Sequence, residues 1–314
     1  MKKIQVIDGL SITDISLGAG RRGYEGKDEE QFRIMDKYLE LGGNCFDTAR
    51  MYANGECDKS LGAYFKSRGN RSDVIICTKG SHPTDTAKMY ISRLSKQEIE
   101  ADLDASLASI GTDHTDLHLL HRDDPKLPVG PIVEAMDGLV KSGKARAVGV
   151  SNWSVTRIAD AIEYAEQHGL TKPSLCQLHY SLLETTVAAT GDVTHVPMND
   201  IERRWYMRTG FPIMGFGSQG RGYIVCRANG GEQKPGPVRY YGRLPENAER
   251  VDRLIALANE LNVTSASVAL AYTRDSGLRA SALCGFSSMD QLMDAMGALS
   301  FNLTDDQIGY LEGK

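Results

Sequence analysis

Three apolar runs in this chain each end in a side chain that can carry charge or a proton. The first, Asn44-Cys45-Phe46-Asp47, ends in a carboxylate, and Tyr52 follows just beyond the turn Thr48-Ala49-Arg50-Met51. The second, Val74-Ile75-Ile76-Cys77-Thr78-Lys79, ends in an amine. The third, Leu117-His118-Leu119-Leu120-His121, ends in an imidazole. A carboxylate at the end of a buried strand is costly unless paired, so a cation is expected beside Asp47, and Lys79 is the candidate. Acid, phenol, amine and imidazole gathered at successive strand ends form a set suited to proton transfer. In an α/β barrel, chemistry sits at the carboxyl ends of the strands.

The elements that would place these groups alternate along the chain. Lys2–Ile7 and Leu10–Thr13 flank Asp8-Gly9 and read as a short hairpin. Eight strand–helix pairs then follow, from Ile15–Leu17 to Ala280–Cys284 with Met289–Met296, and an amphipathic tail closes the chain at Thr304–Leu311. Ser95-Lys96-Gln97-Glu98 opens one helix with a capping box. The strands are apolar throughout, as both-face burial in a parallel sheet requires. A doubly wound sheet would show Gly-x-Gly-x-x-Gly after its first strand. Gly18-Ala19-Gly20 lacks the third glycine. The expectation is one (β/α)8 barrel domain over residues 1–314, a TIM barrel with an N-terminal β-hairpin. Gln219–Pro245, rich in Gly, Pro, Tyr and Arg, reads as a long irregular loop after barrel strand seven, a lid or cofactor clamp.

Composition narrows the function classes. The 314 residues are 41% hydrophobic and carry a net charge of −5, which suggests no nucleic-acid surface. No apolar run is long enough to span a bilayer. The basic start Met1-Lys2-Lys3 lacks the apolar stretch of a signal peptide. Six dispersed cysteines without Cys-x-x-Cys suit small buried hydrophobes in a reducing cytosol.

In order along the chain, Phe46-Asp47-Thr48-Ala49 with Tyr52 and Asn54-Gly55-Glu56, Thr78-Lys79, Leu119-Leu120-His121, Gly149-Val150-Ser151-Asn152, Gln177 with Tyr180, Gly215–Gly222, and Gly285-Phe286-Ser287-Ser288 ahead of Asp290-Gln291-Leu292 resemble the aldo-keto reductase family. The extension His121-Arg122-Asp123-Asp124-Pro125 is similar to a bacterial branch associated with sugars and polyols. The resemblance implies an NAD(P)-dependent oxidoreductase that interconverts a carbonyl compound and an alcohol, with catalytic residues Asp47, Tyr52, Lys79 and His121. Tyr52 would be the general acid in reduction and the base in oxidation. Lys79 would lower its pKa, Asp47 would keep Lys79 charged, and His121 would donate to the carbonyl oxygen.

The same resemblance implies the cofactor contacts. Tyr180 would stack on the nicotinamide, while Ser151, Asn152 and Gln177 would hold its carboxamide. Gly215, Phe216, Gly217, Ser218, Gln219, Gly220 and Gly222 would serve the pyrophosphate. Gly285, Phe286, Ser287, Ser288 and Gln291 would face the adenosine end, with the helix opening near Ser288 turned to its phosphate. Many relatives place a Lys or Arg where this chain has Ser287, with Asp290 nearby, so NADP(H) is the family default and NAD(H) the alternative. Substrate-contacting residues would be Tyr24, His82, Arg122, Asp123, Trp153 and Tyr240. Their polar rim suits a sugar-like or polyhydroxylated small molecule.

Other readings remain open on residues alone. Asp47 and Lys79 also suit a structural ion pair. His118, odd-spaced from His121, belongs to the opposite strand face and reads as a core histidine. Trp153 also suits wall packing. The fold also occurs in redox-sensing subunits of larger assemblies, which usually carry an added N-terminal segment, whereas this chain starts at the hairpin. A metal-dependent lyase would need ligands that His118, His121 and Asp123 do not present on one face.

Overall fold

The structure is a computed structural model and describes residues 1–20, 28–85 and 87–314. Two strands, β1 (Lys3–Ile7) and β2 (Leu10–Thr13), form the antiparallel hairpin. Gly9 takes φ +74 in its turn, a conformation open to glycine at no steric cost. Eight parallel strands follow: β3 (Ile15–Gly18), β4 (Cys45–Asp47), β5 (Ile75–Gly80), β6 (Thr115–Leu120), β7 (Ala145–Ser151), β8 (Cys176–His179), β9 (Ile213–Phe216) and β10 (Ala280–Cys284). They pair in sequence order, and β10 closes onto β3. The (β/α)8 barrel inferred from the alternating pattern is therefore the observed fold.

Strand alternation sorts the side chains into two layers. Cys45, Cys77, Leu117, Leu119, Ala147, Leu175 and Met214 fill the barrel interior. Ile4, Val6, Leu10 and Ile12 of the hairpin join that interior cluster and plug the amino end of the barrel. Phe46, Ile76, Val148, Val150, Cys176 and Leu178 point outward into the layer beneath the helices. Counting on by two from each interior residue brings Asp47, Lys79, His121, Ser151, Gln177, His179 and Phe216 to the inner face at the carboxyl end. The hairpin blocks the opposite end, so the chemistry-bearing end is the open one.

Helix starts follow local signals. Ser95 and Glu98 make the capping box of helix Lys96–Ile110. Ser154, Asn199, Thr264 and Ser288 each accept from the first turn of the helix they precede. The stretch after β9 corrects the sequence expectation. It is a long connection, but it is mostly helical: Tyr223–Ala228, Pro235–Tyr241 and the start of Pro245–Leu261. Pro235 and Pro245 stand at the first helical positions, where a missing N–H costs nothing. Tyr223, Ile224 and Tyr241 are buried. Apolar anchoring thus turns a Gly- and Pro-rich segment into short helices.

Candidate active site

Asp47, Lys79 and Gln177 form a closed group at the barrel's carboxyl end. Lys79 Nζ lies 2.5 Å from Asp47 Oδ1 and also donates to the Thr48 carbonyl at 2.8 Å. Gln177 Nε2 donates to the same Asp47 oxygen at 2.7 Å. Lys79 is fully buried. Burial works against its charge, yet Asp47 and Tyr52 beside it prevail and hold its pKa above the ordinary lysine value. The ammonium sits 4.8 Å from the centre of the Tyr52 ring. Burial pushes the Tyr52 phenol up, against the downward pull of Lys79.

His121 meets the Tyr52 ring edge-on, with centres 5.7 Å apart. Burial, reinforced by Arg122 and Lys79, holds the imidazole well below its ordinary pKa. It is a neutral ring with one N–H to give. His82 stands 4.9 Å from His121, and its Nδ1 lies 2.7 Å from the Pro83 carbonyl. Burial and Arg122 bring His82 down to about 4. His195 is brought down to about 4 by the same two causes.

Non-glycine residues with positive φ cluster around this end: Ala53 and Asn54 directly after Tyr52, Ser81 after β5, Asn152 after β7 and Arg221 after β9. Such conformations cost on the order of 1 kcal/mol or more each and collect where a site over-determines the backbone.

Two cavities meet here. One, of about 570 Å³, is lined by Tyr52, His82, His121, Arg122, Ser151, Asn152, Gln177, Asp192, His195, Phe216, Arg239 and Tyr240, among others. The second, of about 580 Å³, runs past Ser218, Gln219, Gly222, Lys234, Gly285, Phe286 and Gln291. Gly217 and Arg221 line both. Gly217 has φ +76, and a Cβ there would stand 2.8 Å from His179 Nε2, so only glycine keeps this junction open. Together they make an elongated cleft with the phenol at one end. Among the described residues no cluster of His, Cys, Asp and Glu could hold a metal ion, and no single helix is long and apolar enough to cross a membrane.

A profile of the aldo/keto reductase family matches residues 14–314. The chain belongs to the aldo/keto reductase family. An aryl-alcohol dehydrogenase of Pestalotiopsis microspora is 26% identical over 98% of this chain and 78% of its own length. A norsolorinic acid reductase of Emericella nidulans is 26% identical over 90% of this chain and 71% of its own. A Schizosaccharomyces pombe protein, named as a candidate voltage-gated potassium channel subunit beta, is 27% identical over 93% and 86%. These relatives are fungal, so the bacterial-branch likeness finds no support among them. The crystal structure of an aldo/keto reductase from Klebsiella pneumoniae, in complex with NADP and acetate, superimposes with TM-score 0.72 at 21% identity, covering 98% of this chain and 92% of the other. A thermostable aldo-keto reductase bound to epalrestat gives TM-score 0.74 at 18% identity, over 100% and 99%. Both likenesses concern the fold.

Within this aldo/keto reductase the expected residues fall into distinct places. Asp47, Tyr52, Lys79 and His121 converge. Ser151, Asn152 and Gln177 line the phenol end, and Asn152 Oδ1 is buried without a partner. Tyr180 is a correction. Its odd spacing from Gln177 turns it outward, where it lies 6.1 Å from the Tyr272 ring in the layer under the helices. Phe216, two residues on from inward Met214, is the aromatic ring at the cleft. Gly215 faces Thr273 and Tyr180, and Gly220 packs on Leu183 and Ile224; neither lines the cleft. Ser287 is exposed, with its N–H on Gln291 Oε1, and Ser288 caps its helix. Both stand beside the cleft rather than in its wall.

On the substrate side, His82, Arg122 and Tyr240 line the cavity. Trp153 does not: it is fully buried, and its Nε1 donates to the Arg122 carbonyl at 3.3 Å. Asp123 is held by Arg157 Nε at 3.0 Å and lines an adjoining cavity of about 240 Å³. Tyr24 lies outside the described residues. Sequence reasoning missed Arg221 and Lys234 as cleft cations, because both sit in the stretch read as irregular. It missed Asp192 and His195 because they lie between elements with no periodic signal.

Proposed function

We propose that this protein catalyses NADP(H)-dependent interconversion of an aldehyde or ketone and an alcohol, with Tyr52 as general acid and base. The observation that carries the reading is the Lys79 ammonium 4.8 Å from the centre of the Tyr52 ring, with neutral His121 at its edge, in a cavity that shares Gly217 and Arg221 with a second one of about 580 Å³. The cleft's own features fit such a cofactor. The orphaned Asn152 Oδ1 can accept from a carboxamide. Arg221 and Lys234 offer charge for phosphates. The bound cofactor supplies the hydride.

The chain's own residues do the rest. Tyr52 gives its proton to the substrate oxygen as negative charge grows there, and the Lys79 ammonium stabilises the phenolate left behind. Asp47 keeps Lys79 charged and aimed. His121 donates one hydrogen bond to the same oxygen. Phe216, rather than Tyr180, offers the flat face against which a ring can lie. Ser287 carries no charge for a 2′-phosphate, so Lys234 in the cleft wall is the cation on which a preference for NADP over NAD would rest. The polar cavity around His82, Thr190 and Tyr240 favours a hydroxylated, sugar-like carbonyl compound. The six cysteines lie dispersed along the chain, five of them buried, which suits a reducing cytoplasm.

The test is a fluorescence titration with NADPH and NADH side by side, followed by turnover on a carbonyl panel. Wild type should bind NADPH and turn over, and Tyr52→Phe should bind it nearly as well with turnover abolished. Wild-type rates in Tyr52→Phe would refute the role, and failure to bind either nucleotide would refute the activity. A sensing role, favoured only by the likeness to the candidate channel subunit, predicts binding without useful turnover on any substrate.

A further inference from the structure

Arg122 is unusual among the cavity's side chains. It is buried and lies in the wall shared by the phenol-end cavity and the adjoining one beside Met89 and Tyr90. Nη1 donates to the His121 carbonyl at 2.8 Å and Nη2 to Asp192 at 3.2 Å, while Nε has no acceptor. Asp192 is a divided partner, because it also accepts from Thr194 N at 2.9 Å and from Thr194 Oγ1 at 2.6 Å. Burial costs the guanidinium more than Asp192 returns, so its pKa lies below the ordinary value. A buried charge with incomplete pairing is expensive unless something else pairs with it.

The surrounding charges do not complete the pairing. The cavity wall carries three guanidiniums, Arg122, Arg221 and Arg239, against the single carboxylate of Asp192. Arg239 donates to the Thr190 carbonyl, and both Arg239 and Arg221 lie over the Tyr240 ring. Neither has a carboxylate partner among the described residues. Arg221 also lines the second cavity, with Lys234, which on the proposed function assigns it to the cofactor's phosphates. Arg122 and Arg239 then remain on the substrate side with one shared carboxylate. His82 and His195, both neutral near pH 7, add no further charge and cannot offset it.

We propose that the substrate carries an anionic group, a carboxylate or a phosphate, that pairs with Arg122 while its carbonyl oxygen meets Tyr52 and His121. This rests on the carbonyl reductase reading above and narrows its substrate class. Arg122 is the residue that sets this specificity, through a planar fork that matches either anion. Arg239 at the rim adds long-range attraction that salt screens.

The experiment compares matched carbonyl pairs with NADPH: D-glucuronate against D-glucuronamide, D-glucose 6-phosphate against D-glucose, and 4-carboxybenzaldehyde against its methyl ester. At least one anion should exceed its neutral partner in kcat/KM by about tenfold or more. Which pair shows the preference distinguishes carboxylate from phosphate. The preference should fall towards unity in Arg122→Gln, recover in part in Arg122→Lys, and shrink in wild type as salt rises. A merely structural role for Arg122 would lower both members of a pair together. Turnover without anion preference overturns the proposal and leaves the reductase reading intact. Binding of NADPH without turnover of any pair also overturns it. Absence of NADPH binding brings down the reading beneath it instead.

Discussion

Asp47→Asn separates the electrostatic account of the site from a purely structural one. The substitution keeps the shape and removes the charge. Lys79 is then left fully buried with neutral acceptors alone, the Thr48 carbonyl and the amide oxygen of the variant. Breaking a buried ion pair by removing one partner typically costs about 3–5 kcal/mol, so the variant should be markedly less stable in urea. The effect on rate comes through Tyr52. At the 4.8 Å separation between Lys79 Nζ and the ring centre, and an effective dielectric constant of about 20, one ammonium stabilises the phenolate by about 3.5 kcal/mol. Losing that charge would raise the phenol's pKa by two to three units and slow proton return by roughly 10²-fold or more. Gln177, which donates to Asp47 Oδ1, keeps a carbonyl acceptor in the variant, so its orientation changes little. The assay is kcat against pH for alcohol oxidation, with the urea midpoint measured in parallel. A large fall in kcat, with the limb that rises as Tyr52 loses its proton shifted to higher pH, is expected. Activity within a few-fold of wild type, with an unmoved pH profile, would refute the claim that Asp47 acts by keeping Lys79 charged.

Three further outcomes follow from the geometry. Lys234→Gln should weaken NADPH binding more than NADH binding, because Lys234 lines the second cavity while Ser287 brings no charge to it; an unchanged ratio of affinities would remove Lys234 from the phosphate. Phe216→Ala should weaken nucleotide binding several-fold while Tyr180→Phe leaves it unchanged, since Phe216 lines the cleft and Tyr180 faces Tyr272; a loss in the Tyr180 variant instead would restore it to the cofactor. Acid should unfold the protein steeply. His82 and His195 are held at about 4, His118 and His179 at about 3, and His121 well below its ordinary value. The unfolded chain takes up these protons near pH 6.5 and the native state does not, so stability falls as pH drops from about 6.5 towards 4, by about 1.4 kcal/mol per pH unit for each histidine. Equal urea midpoints at pH 7 and pH 5 would show that these imidazoles are not buried neutral.

The barrel was legible because its strands are short apolar runs separated by helical periodicity and caps, a local signal that needs no tertiary information. The four catalytic candidates were legible because each stands at a strand end or just past one. Strand parity would have gone further. Lys79 is inward because Cys77 is, and Gln177 is inward because Leu175 is. The same count turns Tyr180 outward and Phe216 inward, yet the resemblance assigned the stacking role to Tyr180. The contacts of Trp153 and Asp123 were not legible, for another reason. Their partners, the Arg122 carbonyl and Arg157, lie 31 and 34 residues away, and no local pattern announces a contact at that distance. The stretch after β9 misled through composition: its prolines open helices, and its three buried anchors, Tyr223, Ile224 and Tyr241, are too widely spaced to show a period.

Burial acts on Lys79 and His121 in the same direction, yet leaves them in opposite charge states, and that contrast defines the division of labour. Both groups are nearly removed from water, which penalises the cation in each case. Lys79 has a carboxylate 2.5 Å away. His121 instead faces further positive charge, from Arg122 and Lys79. The lysine therefore stays charged and the histidine neutral across the range in which the protein is folded. A neutral imidazole with ordinary acidity far below neutral pH is a poor proton source, but it remains a sound hydrogen-bond donor. A charged lysine under a phenol ring can stabilise the phenolate without giving up its own proton. On the proposed reading, proton delivery then falls to Tyr52, and His121 is left to orient the oxygen that receives it. The positive charge that helps keep His121 neutral comes from Arg122 and Lys79, so on the proposal above the electrostatics that assign the acid would also select the charge of the molecule brought before it.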